Sequence, residues 1–205
     1  MTAFVIDFAG TFTDNTLPTL KNYILDNFVT ADRTLVVAQD GDVAVPWSFL
    51  NGSSPWSVVS GGARPTTSGA SRQILGLDAG AADGEITTII TSIGSGMAGS
   101  GIVFRYVSSV DYCIVKYVVG TGYVVSHELN GVSTVVGSVA ATAAANDVLT
   151  VRFIGASLTL TINGASSSVT FNYNLSATIH GLASLWTSAN SPKFGKFEFT
   201  AGEDI

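Results

Sequence analysis

Residues 101–164 read GIVFRYVSSVDYCIVKYVVGTGYVVSHELNGVSTVVGSVAATAAANDVLTVRFIGASLTLTING. Apolar and β-branched runs are interrupted by Gly, Asn or Ser about every eight to twelve residues, the rhythm of short antiparallel strands joined by tight turns. The clearest part is the end. Leu149, Val151 and Phe153 alternate with Thr150 and Arg152, and Leu158, Leu160 and Ile162 alternate with Thr159, Thr161 and Asn163. Gly155-Ala156-Ser157 supplies the turn between them. This pattern predicts a hairpin with one buried and one wet face.

The same signal extends outward on both sides. Residues 24–29, 56–60, 71–78 and 85–93 read as strands before this stretch, and 168–173, 180–186 and 193–200 after it. The alanines at 140–145 make too short a run to stand as a helix and read as a loop. The Gly-rich segment 94–101, GSGMAGSG, reads as a hairpin loop between two antiparallel strands rather than a phosphate cradle, which would open a helix. About eleven to thirteen strands without a convincing amphipathic helix predict an all-β fold: a two-sheet antiparallel β-sandwich closed as a jelly roll. Residues 24–205 form that sandwich. Residues 1–23, with turn residues at Gly10, Asp14, Asn15 and Pro18, read as an arm or appended strand for attachment.

The bulk numbers exclude several function classes. The 205 residues suit one domain with a real core. Charged residues make up 12%, about half the usual ~25%, and the mean hydropathy is +0.41. Either Ser, Thr, Gly and Asn dress much of the surface, or other subunits cover part of it. The net charge is −6, and the nine basic residues are scattered, which disfavours nucleic acid and anionic membranes. No apolar stretch reaches the ~18 uninterrupted residues of a membrane span. The opening MTAFVIDFAGTF lacks the basic start of a signal peptide, so synthesis in a host cytoplasm without export is expected. Cys113 stands alone in YCIVKYV, a small core hydrophobe that rules out a disulfide framework.

Three local patterns resemble the concanavalin A-like lectin/glucanase superfamily in its laminin-G-like branch. They are Gly101-Ile-Val-Phe-Arg-Tyr with Asp111-Tyr-Cys-Ile-Val; Leu149-Thr-Val-Arg-Phe-Ile-Gly with Leu158-Thr-Leu-Thr-Ile-Asn-Gly; and His180-Gly-Leu-Ala with Phe194-Gly-Lys-Phe-Glu-Phe. The opening Leu25-Asp-Asn-Phe, with Ala31-Asp-Arg after it, is similar to such domains in minor tail proteins of actinobacterial phages. The resemblance covers residues 24–200 and implies a fold. The fold alone does not imply a function, because it hosts lectins, hydrolases and inert modules.

Chemistry is sparse. Hydrolases of this fold carry paired carboxylates, in the glucanase branch as Glu-x-Asp-x-x-Glu on one strand, and that pattern is absent. Asp78, Asp83 and Glu85 are spread over a turn. The resemblance implies calcium as a possible cofactor, and Asp40, Asp42, Asp78 and Asp83 are the candidate ligands; Asp-Gly turns need no metal, which is the plainer reading. His127 and His180 lie far apart, without a nucleophile elbow. Trp47 and Trp56, each directly after a proline, together with Tyr123 and Trp186, are the candidate sugar-stacking aromatics; covering the core is the ordinary role of such residues. Arg105, Lys116 and Arg152 lie on strands and either face outward or cross a sheet to a carboxylate.

These readings give an expectation: a non-enzymatic bacteriophage virion structural protein, in a minor tail, tail-tip or capsid-surface decoration role. It would be present in symmetric copies and held to other virion proteins by its N-terminal segment. A carbohydrate-binding module that adheres to host surface glycan is the alternative, and a glycoside hydrolase the third reading.

Overall fold

A computed structural model describes residues 23–28, 33–34, 44–52, 55–66, 72–185 and 190–202. These residues form sixteen strands: β1 (Tyr23–Asp26), β2 (Arg33–Thr34), β3 (Ser48–Asn51), β4 (Trp56–Val58), β5 (Ala63–Pro65), β6 (Gln73–Asp78), β7 (Gly84–Ser92), β8 (Gly101–Ser108), β9 (Asp111–Val118), β10 (Gly122–Leu129), β11 (Val132–Val139), β12 (Asp147–Ile154), β13 (Ser157–Ile162), β14 (Ala165–Thr170), β15 (Ile179–Ser184) and β16 (Lys193–Ala201). Among the described residues they pair into two antiparallel sheets. One has nine strands along the path β14-β13-β12-β7-β16-β5-β4-β2, with β1 beside β16; the other has seven, ordered β11-β10-β9-β8-β15-β6-β3. The predicted all-β sandwich is therefore the fold. The arm expected at residues 1–23 lies, apart from Tyr23 in β1, outside the described residues.

The two sheets use their faces differently. In the nine-stranded sheet the burial alternates: Gly84, Ile86, Thr88 and Ile90 of β7 are buried with partly exposed neighbours between them, and Leu149, Val151 and Phe153 of β12 repeat the pattern. Leu149 pairs with Ile162 and Phe153 with Leu158 across β12–β13, the predicted hairpin with one wet face. The central strands of the seven-stranded sheet are buried on both faces. Six consecutive residues of β8 and seven of β10 are buried. Inward side chains such as Ile102, Phe104, Cys113, Val115, Tyr123, Val125 and Leu182 join the core between the sheets. Their outward neighbours Val103, Ile114 and Ala183 join a second apolar cluster with Ile74, Tyr106 and Tyr112. Cys113 is a core side chain, and burial pushes its thiol pKa up.

Three local expectations need correction. The strand expected over 24–29 ends at Asp26, because the Asp26 carboxylate accepts the Phe28 N–H (3.1 Å) and Phe28 turns to φ 49°. The predicted strand at 168–173 lies earlier, as β14. The loop at 94–101 is not a hairpin. It carries the chain from β7 in one sheet to β8 in the other, anchored by buried Met97 and Ser100 and by a parallel bridge from Ala98 to Tyr117.

At one side of the sandwich the edge strands β11 and β14 lie against each other. Gly137 makes this approach close: a Cβ there would stand 2.6 Å from Val169 Cγ1.

Candidate functional site

The aromatic residues expected to stack on sugar are core residues wherever they are described. Trp56 is fully buried and tilts against Phe194. Trp47 packs edge-on to Phe197, and its indole N–H donates to the buried Asp26 carboxylate (3.1 Å). Tyr123 is fully buried and donates its hydroxyl to Asp147 (2.7 Å). The Asp147 carboxylate also accepts from Ala144 N–H and the Asn163 amide, so this network ties the β11–β12 loop to the β13–β14 turn. None of the three offers a ring face to a ligand. Trp186 lies outside the described residues.

The calcium candidates fare differently. Asp40 and Asp42 lie outside the described residues. Asp83 gives one oxygen to the Arg105 guanidinium (2.8 Å) and the other to Gly155 N–H (2.9 Å). Arg105 also donates to the carbonyls of Ala82 (3.2 Å) and Gly155 (2.8 Å). A carboxylate and two carbonyls form an oxygen set that suits a hard cation. Here a fully buried guanidinium fills it, so these residues do not fit a calcium ion. Asp78 accepts from Gly80 N–H (3.0 Å); hydrogen bonds from Thr178 and Gly80 hold its carboxyl below the usual range. Among the described residues, no three His, Cys, Asp or Glu side chains gather as a metal site.

The histidines serve the sandwich interior. His180 accepts the Arg105 N–H at Nδ1 (3.1 Å), so its proton is on Nε2, which donates to the Ala81 carbonyl (2.9 Å). Burial pushes its pKa down to about 4. His127 donates to Asp111 (2.8 Å) and stacks on Tyr173 at 4.2 Å. Asn174 donates to the same carboxylate, and these bonds hold Asp111 below the usual carboxylate range.

Chemistry converges instead on the outer face of the seven-stranded sheet. Alternation along β9 and β10 puts Tyr112, Ile114 and Lys116 on that face, with Ser126 and Glu128 beside them. Ser133 of β11 stands opposite Glu128. One Glu128 oxygen, Oε1, accepts from Lys116 Nζ (2.5 Å), Ser133 Oγ (2.7 Å) and Ser126 Oγ (3.0 Å). Lys116 Nζ also donates to Ser133 (2.9 Å). Arg72, just before β6, reaches over the sheet: it donates to Tyr112 Oη (2.5 Å), its guanidinium stands 5.9 Å from the Tyr112 ring centre, and Nη1 is 3.8 Å from Glu128 Oε2. Arg72 Nε is buried without a partner among the described residues.

These charges are largely covered, with side-chain exposures of 15% for Arg72, 12% for Lys116 and 11% for Glu128. Burial works to raise the Glu128 pKa. The hydrogen bonds of Lys116, Ser133 and Ser126, with the Lys116 charge, outweigh it and hold the carboxylate ionised below its usual range. Beneath lies the second apolar cluster, in which Tyr106 stacks on Tyr112 and donates to the Leu50 carbonyl (3.0 Å). An apolar floor carrying a few fixed polar groups is the ordinary make-up of a ligand site. Of this group, the sequence singles out only Lys116. The available signal is Glu128 in GYVVSHEL: a carboxylate within a run buried on both faces must be paired.

A concavity of about 400 Å³ lies elsewhere, at the β9–β10 turn, lined by Tyr117, Thr121, Gly122, Ala141 and Thr142. Its lining carries hydroxyls and backbone but no charge.

No family model matches the sequence, and no curated protein does. Solved structures do. The chain is similar to the carbohydrate binding module CBM66 from Bacillus subtilis, with a TM-score of 0.54 and 12% identity over 76% of this chain and 92% of that one. It is also similar to a mutant of the GH43 protein BlXynB from Bacillus licheniformis, with a TM-score of 0.53 and 18% identity over 86% of this chain but 39% of that one. At these identities the likeness establishes the shared sandwich fold.

Proposed function

We propose that this chain is a carbohydrate-binding module that holds its glycan on the outer face of the seven-stranded sheet, at Arg72, Tyr112, Lys116 and Glu128. The observation that carries this reading is the Glu128 carboxylate. Three donors fix one of its oxygens above an apolar floor, while the other has, among the described residues, only Arg72 at 3.8 Å. Carboxylate and guanidinium pairs suit sugar hydroxyls, and an apolar floor suits the C–H face of the ring. The similarity to a carbohydrate binding module over most of both chains supports the same reading. The cluster contains one carboxylate, whereas glycoside hydrolysis uses two; this favours binding over catalysis.

Affinity electrophoresis through gels containing soluble polysaccharides, followed by calorimetry, tests it. Retardation by at least one glycan is expected, with Glu128→Gln and Tyr112→Phe each weakening binding about tenfold, the loss of one charge-assisted contact. Both remove buried hydrogen bonds and lower the melting temperature, so binding is read at a temperature where circular dichroism shows each variant folded. Absence of retardation by every glycan, or variants that bind as the parent does, would sink the proposal.

The bacteriophage setting expected from Leu25-Asp-Asn-Phe is a separate proposal, since the comparisons speak only to the fold. A tail-borne adhesion module would combine both, and detection of the chain in purified particles by mass spectrometry is its test.

A further inference from the structure

Resting on the binding site just proposed, we infer that its glycan is anionic and that a carboxylate-bearing sugar, of the uronic acid class, binds at Arg72. The local charge balance points there. The cluster sets two cations, Arg72 and Lys116, against one carboxylate, Glu128, in a chain whose net charge is −6. Lys116 is spent on Glu128 and Ser133. Arg72 is less fully answered: Nη1 donates to the neutral Tyr112 hydroxyl and stands 3.8 Å from Glu128, an ion pair too long for a hydrogen bond, and its buried Nε–H has no acceptor among the described residues.

Geometry strengthens the case. The Tyr112 hydroxyl and ring hold the guanidinium in place, so little side-chain entropy remains to be lost on binding. A fixed guanidinium is a planar fork that matches a carboxylate with two parallel hydrogen bonds. Desolvation raises the attraction, since the charges on this face are covered. Among the described residues, the other carboxylate that alternation places on this face is Asp78, at the far end of β6. Six residues of extended strand put it roughly 20 Å from Arg72, beyond the screening length of about 8 Å at physiological salt.

Polygalacturonate and its methyl ester present the same sugar with and without charge. Calorimetry of the intact chain with both, with uncharged xylan and with dextran sulfate separates the cases. Polygalacturonate is expected to bind at least tenfold more tightly than its ester, with Arg72→Gln removing about that factor and Arg72→Lys restoring part of it. Equal affinity for the ester, or an Arg72→Gln variant that binds polygalacturonate as the parent does, overturns the inference while xylan binding leaves the glycan reading intact. Dextran sulfate binding as tightly as polygalacturonate also overturns it, as mere ion exchange. Binding to none of the four overturns the inference and removes the support for glycan binding with it.

Discussion

Arg105 decides more of this structure than its place in a strand suggests. It is fully buried and lies over Phe153, with its charge answered by Asp83 and two carbonyls. Replacing it with methionine removes the guanidinium donor from the Ala82 and Gly155 carbonyls and from one Asp83 oxygen, while the partly exposed Asp83 keeps water and the Gly155 N–H. A loss of about 1–2 kcal/mol in urea denaturation is expected; no loss would show that these hydrogen bonds contribute nothing net. His180, against the same arginine backbone, sets a pH dependence. Its folded pKa of about 4 lies below the ordinary 6.5, so the unfolded chain binds the proton more readily. Its stabilising contribution is whole above pH 6.5 and shrinks as pH falls toward 4, by on the order of 3 kcal/mol. Asp78, Asp111 and Glu128, with carboxyl pKa values held low, act in the same direction at lower pH: their contributions are present above the ordinary carboxylate values and are lost on further acidification. The urea midpoint should therefore fall steadily from pH 7 to pH 4. A flat profile over that range would contradict the buried neutral His180.

At the scale of elements, β6 and β15 meet through facing glycines, Gly76 and Gly181. A Cβ on Gly181 would lie 1.9 Å from the Leu75 carbonyl oxygen, a backbone atom that can move only with its strand. Gly181→Ala should cost about 3 kcal/mol or more by denaturant midpoint, whereas Thr159→Ala on the wet face of β13 should stay within about 0.5 kcal/mol. Similar costs for the two would mean that this pairing tolerates spreading. The elements also show what a sequence displays. The β12–β13 hairpin is legible because its alternation is strict and its turn short. The continuous runs of β8, β9 and β10 are legible as strands, and their lack of alternation already speaks of two covered faces. The crossing at residues 94–101 is not legible, since a glycine-rich link looks the same within a sheet as between sheets. The site is hidden for a related reason: Arg72, Lys116, Glu128 and Ser133 sit on or beside four strands, and only their register brings them together. Trp47 is hidden too, because its indole acceptor, Asp26, stands 21 residues away.

For the molecule as a whole, the sheets differ in how water reaches them. The seven-stranded sheet is dry on both faces at its centre, while the nine-stranded sheet keeps one face wet. Amide hydrogen exchange should be slowest in β8, β9, β10 and β15, and faster in β13 and β14 near the other sheet's edge. Slower exchange in β13 than in β9 would reverse this order of opening. The same covered face carries the proposed site, so the groups meant to meet a glycan belong to the most rigid part of the chain. One kink underlies that placement. At φ 49°, Arg105 follows Phe104 inward, and only then does Tyr106 turn outward to stack on Tyr112. The kink thus acts as a phase shifter in a two-beat pattern: a strand that ran through Arg105 without it would turn Arg105 outward, send Tyr106 into the interior and take one wall from the floor beneath Arg72, whereas deleting Arg105 would remove the kink and leave Tyr106 facing outward.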